Sequence, residues 1–146
     1  MLCLRLATLE DLAALLPRTA ALNAHEGIAL DPAALEAALA RLLGDGSLGG
    51  AWLVEQGGAA IGYAIATFGY DLEFGGRDAT LTELWIDPAA RGQGAGGEVL
   101  ALLAPELRAL GVGALHLQVR PENPALRLYQ RSGFTASPRV VMTRRL

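Results

Sequence analysis

Lysine is absent from this chain of 146 residues, because all twelve of its basic side chains are arginine. The protein therefore carries no acylated lysine of its own. Cysteine occurs once, at Cys3, which excludes an internal disulfide and a cysteine-rich metal site. Two scattered histidines, His25 and His116, do not make a zinc pattern, so no metal is expected. Long apolar runs are also missing. The longest is the six-residue stretch from Val99 to Ala104, ended by Pro105, against the ~20 residues a membrane-crossing helix needs. The opening Met1-Leu2-Cys3-Leu4-Arg5 lacks a basic segment followed by a long apolar one, so no secretory signal is expected and the expected location is cytoplasmic, without membrane association.

What the chain does have is a globular composition, 52% hydrophobic and 18% charged, at a length suited to one core. A single domain over residues 1–146 is expected. Eighteen glycines predict many tight turns or close backbone approaches. The formal charge of −3 conceals an asymmetry: residues 1–87 hold four arginines and twelve acids, net −8, whereas residues 88–146 hold eight arginines and three acids, net +5. If both halves meet at one cleft, the second suits a polyanion and the first a cation. The acidic total disfavours a nucleic-acid partner.

Hydrophobic periodicity predicts the elements. Leu2 to Leu6 reads as a strand, followed by Thr8 as a helix cap with Asp11 three residues on. Leu12, Leu15, Leu16, Thr19 and Leu22 keep helical spacing to about Ala24. Asp31-Pro32 starts a second helix running to about Leu43. Ala51–Glu55 and Ala59–Phe68 read as a hairpin around Gln56-Gly57-Gly58, and Ala79–Ile86 as a strand closed by Asp87-Pro88. A helix from Gly96 to about Leu110 is expected to be kinked or shortened by Pro105. Leu115–Val119 is a further strand, Asn123–Arg131 a short helix, and Phe134 through Arg145 supplies terminal strands. This is an α/β sheet in which the unit from Ala79 to Val119 crosses over in parallel through a helix.

Chemistry concentrates in Arg91-Gly92-Gln93-Gly94-Ala95-Gly96-Gly97, between a strand and a helix. Closely spaced glycines there expose successive amides beside the positive helix end, an anion cradle suited to the pyrophosphate of a cofactor. Arg91 adds a forked donor. The same glycines satisfy G-x-G-x-x-G at Gly92, Gly94 and Gly97, a dinucleotide pattern. Five residues, Asp87 to Arg91, separate them from the strand, however, and the next strand ends near Arg120 rather than in a ribose-binding acid.

Leu84-Trp85-Ile86-Asp87-Pro88-Ala89-Ala90-Arg91-Gly92-Gln93-Gly94-Ala95-Gly96 resembles the acetyl-CoA signature of the GNAT superfamily of N-acetyltransferases, with R-x-x-G-x-G at its centre. The block Asn123 to Phe134 is similar to a second motif of that superfamily, an Asn followed by L-Y-x-x-x-G-F, here Leu128-Tyr129 to Gly133-Phe134. The resemblance implies a GNAT fold: a mixed, mostly antiparallel sheet of six to seven strands with a central parallel β-α-β unit and about four helices. It implies that the fourth and fifth strands splay apart and that acetyl-CoA, as co-substrate, lays its pantetheine arm on backbone groups of Leu84, Trp85 and Ile86. The pyrophosphate would rest on amides of Gly92, Gln93, Gly94, Ala95, Gly96 and Gly97 with Arg91 nearby. Asn123 would cap the short helix and touch the pantetheine, and Tyr129 would lie near the sulfur and protonate the departing thiolate. Relatives often pair, which implies a homodimer in which Arg139–Arg145 participates.

An amine must lose a proton before attacking a thioester, so a carboxylate is expected as base. Glu83 is the first choice, and simple strand alternation places Leu81, Glu83 and Trp85 on one face. By resemblance the acceptor pocket draws on the first two helices and the loop after the third strand, giving Glu26, Tyr70, Asp71 and Phe74. The acidic first half favours a primary amine, on a small molecule or on a protein. The expected function is thus direct acetyl transfer from acetyl-CoA to an amine, with no covalent intermediate. The alternative from another class is a non-catalytic acyl-CoA binding or sensing module.

Overall fold

Gly49–Gln56 (β2) is buried along most of its length, as a central strand covered on both faces must be. The computed structural model describes residues 1–146. Around β2 lie Leu2–Leu6 (β1), Ala59–Asp71 (β3), Gly76–Ile86 (β4) and Leu115–His116 (β5), in sheet order β1-β2-β3-β4-β5. The first three pairings are antiparallel, and β4 with β5 is parallel. The helices are Leu12–His25 (α1), Pro32–Gly44 (α2), Ala95–Ala109 (α3) and Ala125–Arg131 (α4).

The starts of α1 and α2 follow from local chemistry. Thr8 opens a 3-10 turn, Leu9–Asp11, in which the Asp11 carboxylate accepts the Thr8 amide at 2.8 Å before α1 begins. Asp31 caps α2 by accepting the Ala34 amide at 2.9 Å, with Pro32 in the first helical position. α3 runs through Pro105 to Ala109 without being shortened there.

The sheet separates two cores. On one face Val99, Leu103 and Leu107 of α3 pack on Val54, Ala64, Ala66, Ala79 and Leu81. On the other, Leu15 of α1 and Leu39 of α2 pack on Leu53, Tyr63 and Ile65. Fully burying a Leu or Val of either cluster contributes about 1.5–3 kcal/mol.

The expected six to seven strands are five. The stretch read as Leu115–Val119 pairs with β4 at two positions only, Ala79 with Leu115 and Thr80 with His116. Past Phe134 no strand forms, and Val140, Val141 and Met142 are 83%, 62% and 91% exposed. β-Branched side chains favour a strand only when an edge and a packed face receive them, and within the single chain this segment has neither.

Candidate active site

The register of β4 changes at Thr82. Ile65 of β3 lies opposite Glu83 while the next residue, Ala66, lies opposite Leu81, so Thr82 is an extra residue, a bulge. The insertion turns the strand's alternation over. Leu81 faces α3, whereas Glu83 and Trp85 face α1 and α2. The expectation that Leu81, Glu83 and Trp85 share a face is thus corrected, because a bulge shifts every later side chain to the opposite face.

The outer edge of β4 opens in the same stretch. Pairing with β5 stops after Thr80, while pairing with β3 continues to Ile86. Asp87 donates its amide to Ile61 O at 2.7 Å, toward β3. By alternation the backbone groups of Trp85 also point to β3, and those of Leu84 and Ile86 point to the open edge. Of the three residues expected to offer backbone groups, Leu84 and Ile86 turn theirs toward the splay, where Ile86 O already accepts from Arg91.

At the end of β4 the cradle takes the shape its glycines permit. Gly92 and Gly94 both have φ of +79°, a left-handed conformation, and a Cβ on either would meet nothing within 4 Å. Gly94 is the N-cap of α3 and supplies no side chain to it, so the first-turn amides of Ala95, Gly96 and Gly97 have no intrahelical partner. Gly96 serves a different end: a Cβ there would lie 3.0 Å from Leu128 Cδ2, so its bareness lets α4 pack on α3. Between these helices runs a cleft of ≈ 510 Å³ lined by Gly94, Gly97, Ala101, Leu128, Arg131 and Ser132.

Arg91 does not extend from the cradle as a free fork. Its Nε donates to Ile86 O at 2.8 Å, and its guanidinium lies 4.5 Å from the centroid of the Trp85 ring. Trp85 Nε1 in turn donates to Asp87 Oδ1 at 3.1 Å. Asp87 is gripped from α1 by Arg18, whose Nε and Nη2 reach it at 3.0 and 2.7 Å while Nη1 and Nη2 also hold Ala14 O and Ala60 O. The Arg18 guanidinium holds the Asp87 carboxyl below the usual carboxylate range. Arg18 escapes sequence reading because it precedes its partner by 69 residues and carries no local motif.

Glu83 is half-buried, and its Oε1 accepts the Tyr63 hydroxyl at 2.6 Å. Burial raises its pKa, and the Tyr63 hydrogen bond opposes that rise. Tyr129 is packed against the α3-side core and meets Phe134 edge-on at 5.9 Å between ring centroids. Burial, then the nearby charge of Glu26, raises its pKa as well, so the phenol is protonated at neutral pH. Glu26, just past α1, is therefore within electrostatic reach of Tyr129. Asn123 Oδ1 accepts the Ala125 amide at 2.9 Å from one residue ahead of Pro124, the N-cap of α4, so the expected cap position is offset by one.

Three other sequence candidates are not gathered there. Tyr70, Asp71 and Phe74 stand at the β3–β4 hairpin tip. Tyr70 lies five residues beyond Ile65, the partner of Glu83, or about 17 Å of strand. Tyr70 is 78% exposed. Asp71 Oδ1 accepts the Glu73 amide at 2.9 Å, and Phe74 packs on His116 at 4.9 Å between centroids. Sequence order puts them in the loop before β4, but the strand is long enough to carry that loop away from the splay. Cys3 is exposed on β1. No group of three or more His, Cys, Asp or Glu is placed to hold a metal ion, and no helix is long and apolar enough to cross a membrane.

The GNAT acetyltransferase family model matches residues 17–134. The chain belongs to this family. An integron cassette protein from the mobile metagenome of Cole Harbour Salt Marsh is 30% identical, with a TM-score of 0.86 over 98% of this chain and 90% of that one. Two more distant structures share the GNAT fold. A predicted acetyltransferase of Clostridium acetobutylicum, solved with acetyl-CoA, is 20% identical with a TM-score of 0.80 over 99% of this chain and 96% of its own. The aminoglycoside N-acetyltransferase AAC(6')-Iy, solved in complex with CoA, is 19% identical with a TM-score of 0.83 over 99% and 95%. No curated protein sequence matches the chain.

Proposed function

We propose that this GNAT protein moves an acetyl group from acetyl-CoA to a primary amine by direct attack in a ternary complex. The observation that carries the reading is Glu83, a half-buried carboxylate bonded through one oxygen, beside the open edge of β4 and on the face toward α1 and α2. The chemistry of the surroundings fits the co-substrate. The amides of Ala95, Gly96 and Gly97 and the left-handed Gly92 and Gly94 suit a pyrophosphate, Leu84 and Ile86 offer the open edge to an amide-bearing arm, and Arg131 lines the adjoining cleft.

The steps follow from these positions. Glu83 accepts a proton from the acceptor's ammonium group, and its raised pKa makes it a better base than an exposed carboxylate. The freed amine forms a C–N bond at the thioester carbonyl, the C–S bond breaks, Tyr129 gives its phenolic proton to the departing thiolate, and the second proton lost by the nitrogen as it becomes an amide restores the Tyr129 phenol. Glu26 adds negative charge on the acceptor side, and the net −8 of residues 1–87 suits a cationic acceptor, on a small molecule or a protein.

The exposed Val140, Val141 and Met142, together with the unpaired outer edge of β5, support a homodimer in which a second copy supplies the missing strand partner. A solution mass of one chain, 15.2 kDa, at every concentration would exclude it.

A thiol-release assay with acetyl-CoA and a panel of primary amines and basic peptides tests the activity. Wild type should release CoA only with acceptor present. Tyr129→Phe should lower kcat by about 10²-fold while keeping acetyl-CoA affinity, and Gly94→Val should weaken that affinity, since a β-branched residue resists φ of +79°. Tight CoA binding without thiol release for any acceptor would instead establish a binding or sensing module.

A further inference from the structure

A carboxylate has two oxygens, and the fold commits one of those on Glu83. Tyr63, on β3, is 0% exposed, and its hydroxyl donates to Glu83 Oε1 at 2.6 Å. A phenol has a single proton to give, and here it has this one recipient. The pair is diagonal across the strands, since Tyr63 lies opposite Trp85 and Glu83 lies opposite Ile65. It exists only because of the bulge at Thr82. Were β4 to keep the alternation of Leu81, Glu83 would face α3 on the other side of the sheet from Tyr63.

We propose that Tyr63 is a positioning residue for acyl transfer: it holds Glu83 through Oε1 and leaves Oε2 as the oxygen that receives the acceptor's proton. This rests on the reading of Glu83 as the base. When Oε2 is protonated, Oε1 becomes the carbonyl oxygen of the acid and still accepts from Tyr63, so the carboxyl group keeps its orientation through the proton transfer. The bond is stronger to the ionised form, and it limits how far burial can raise the pKa of Glu83.

The other ionisable groups around the splay are His25 and Glu26 at the end of α1, Asp78 and Asp87 on and after β4, His116 on β5, Tyr129 on α4, Arg18 on α1 and Arg91 in the cradle. None of them hydrogen-bonds Glu83. Asp87 is paired with Arg18, and Asp78 with His116 at 3.0 Å. The bond from Tyr63 is the one direct polar contact on the Glu83 carboxylate.

Tyr63→Phe removes one oxygen and keeps the ring that fills the core. In steady-state kinetics across pH, its acid limb of kcat/KM should move upward by about one to two pH units, since the bond to the ionised form is lost while burial remains. Its kcat should fall about tenfold or more, with KM for acetyl-CoA unchanged. In a Glu83→Gln background the same substitution should change kcat no further. A fluorinated tyrosine at position 63, a stronger donor, should move the limb downward, and it serves if Tyr63→Phe does not fold. An acid limb that stays in place in these proteins, whatever happens to kcat, overturns the role of Tyr63. Wild-type turnover in Glu83→Gln overturns instead the reading on which it rests.

Discussion

The two ends of β4 on either side of Thr82 differ in what pairs with them and in what they bury. From Ala79 to Leu81 the strand follows the usual pattern: neighbours pair with it on both edges at Ala79 and Thr80, and Ala79 and Leu81 are buried under α3. From Glu83 to Ile86 one edge is open and the side chains toward α1 and α2 are a carboxylate and an indole. One extra residue, Thr82, separates the two regimes. A strand half whose hydrogen bonds are satisfied and whose side chains are packed can contribute only stability, whereas a half with free backbone groups and a half-buried acid has capacity left for a ligand.

Two substitutions only two residues apart test this most sharply. Glu83→Gln should lower kcat by about 10²- to 10⁴-fold with little loss of stability. Leu81→Ala should cost about 2–5 kcal/mol of unfolding free energy and leave the kcat of the folded protein near wild type. Paired measurement of chemical denaturation and thiol release checks both, and parallel losses in the two variants would erase the distinction.

A smaller effect is expected where the open half joins α1. Asp87→Asn replaces the carboxylate that Arg18 grips and should cost about 1–3 kcal/mol at neutral pH. The Asp87 pKa is lower in the folded protein, so its contribution is present above the ordinary carboxylate pKa of about 4 and is lost as pH falls through the depressed value. Denaturation midpoints should therefore converge between wild type and Asp87→Asn toward the acid end. A gap that persists unchanged in acid would assign the stability to packing rather than charge.

Much of the fold and part of the candidate site are legible in the residues alone. The cradle from Arg91 to Gly97 and the block from Asn123 to Phe134 are contiguous, so their chemistry depends on short-range backbone geometry that the residues themselves specify. Tyr129 and Asn123 stand out for that reason. Tyr63 and Arg18 do not, because each acts on a residue at least 20 positions away, and neither stands in a motif. The acceptor candidates Tyr70, Asp71 and Phe74 rest on the resemblance alone, and a 13-residue β3 carries their loop away from Glu83.

By itself the sequence determined the family, the order of helices and central strands, the glycine-rich turn before α3 and the candidate carboxylate, because periodicity, glycine spacing and caps act over a few residues. Only the tertiary structure decided which way Glu83 faces, which of Leu84, Trp85 and Ile86 opens its backbone to the splay, and that the terminal segment forms no strand within the single chain. Those outcomes depend on register and on edge pairing. Both are set by contacts between distant segments, and a single inserted residue reverses a strand's faces without altering its composition.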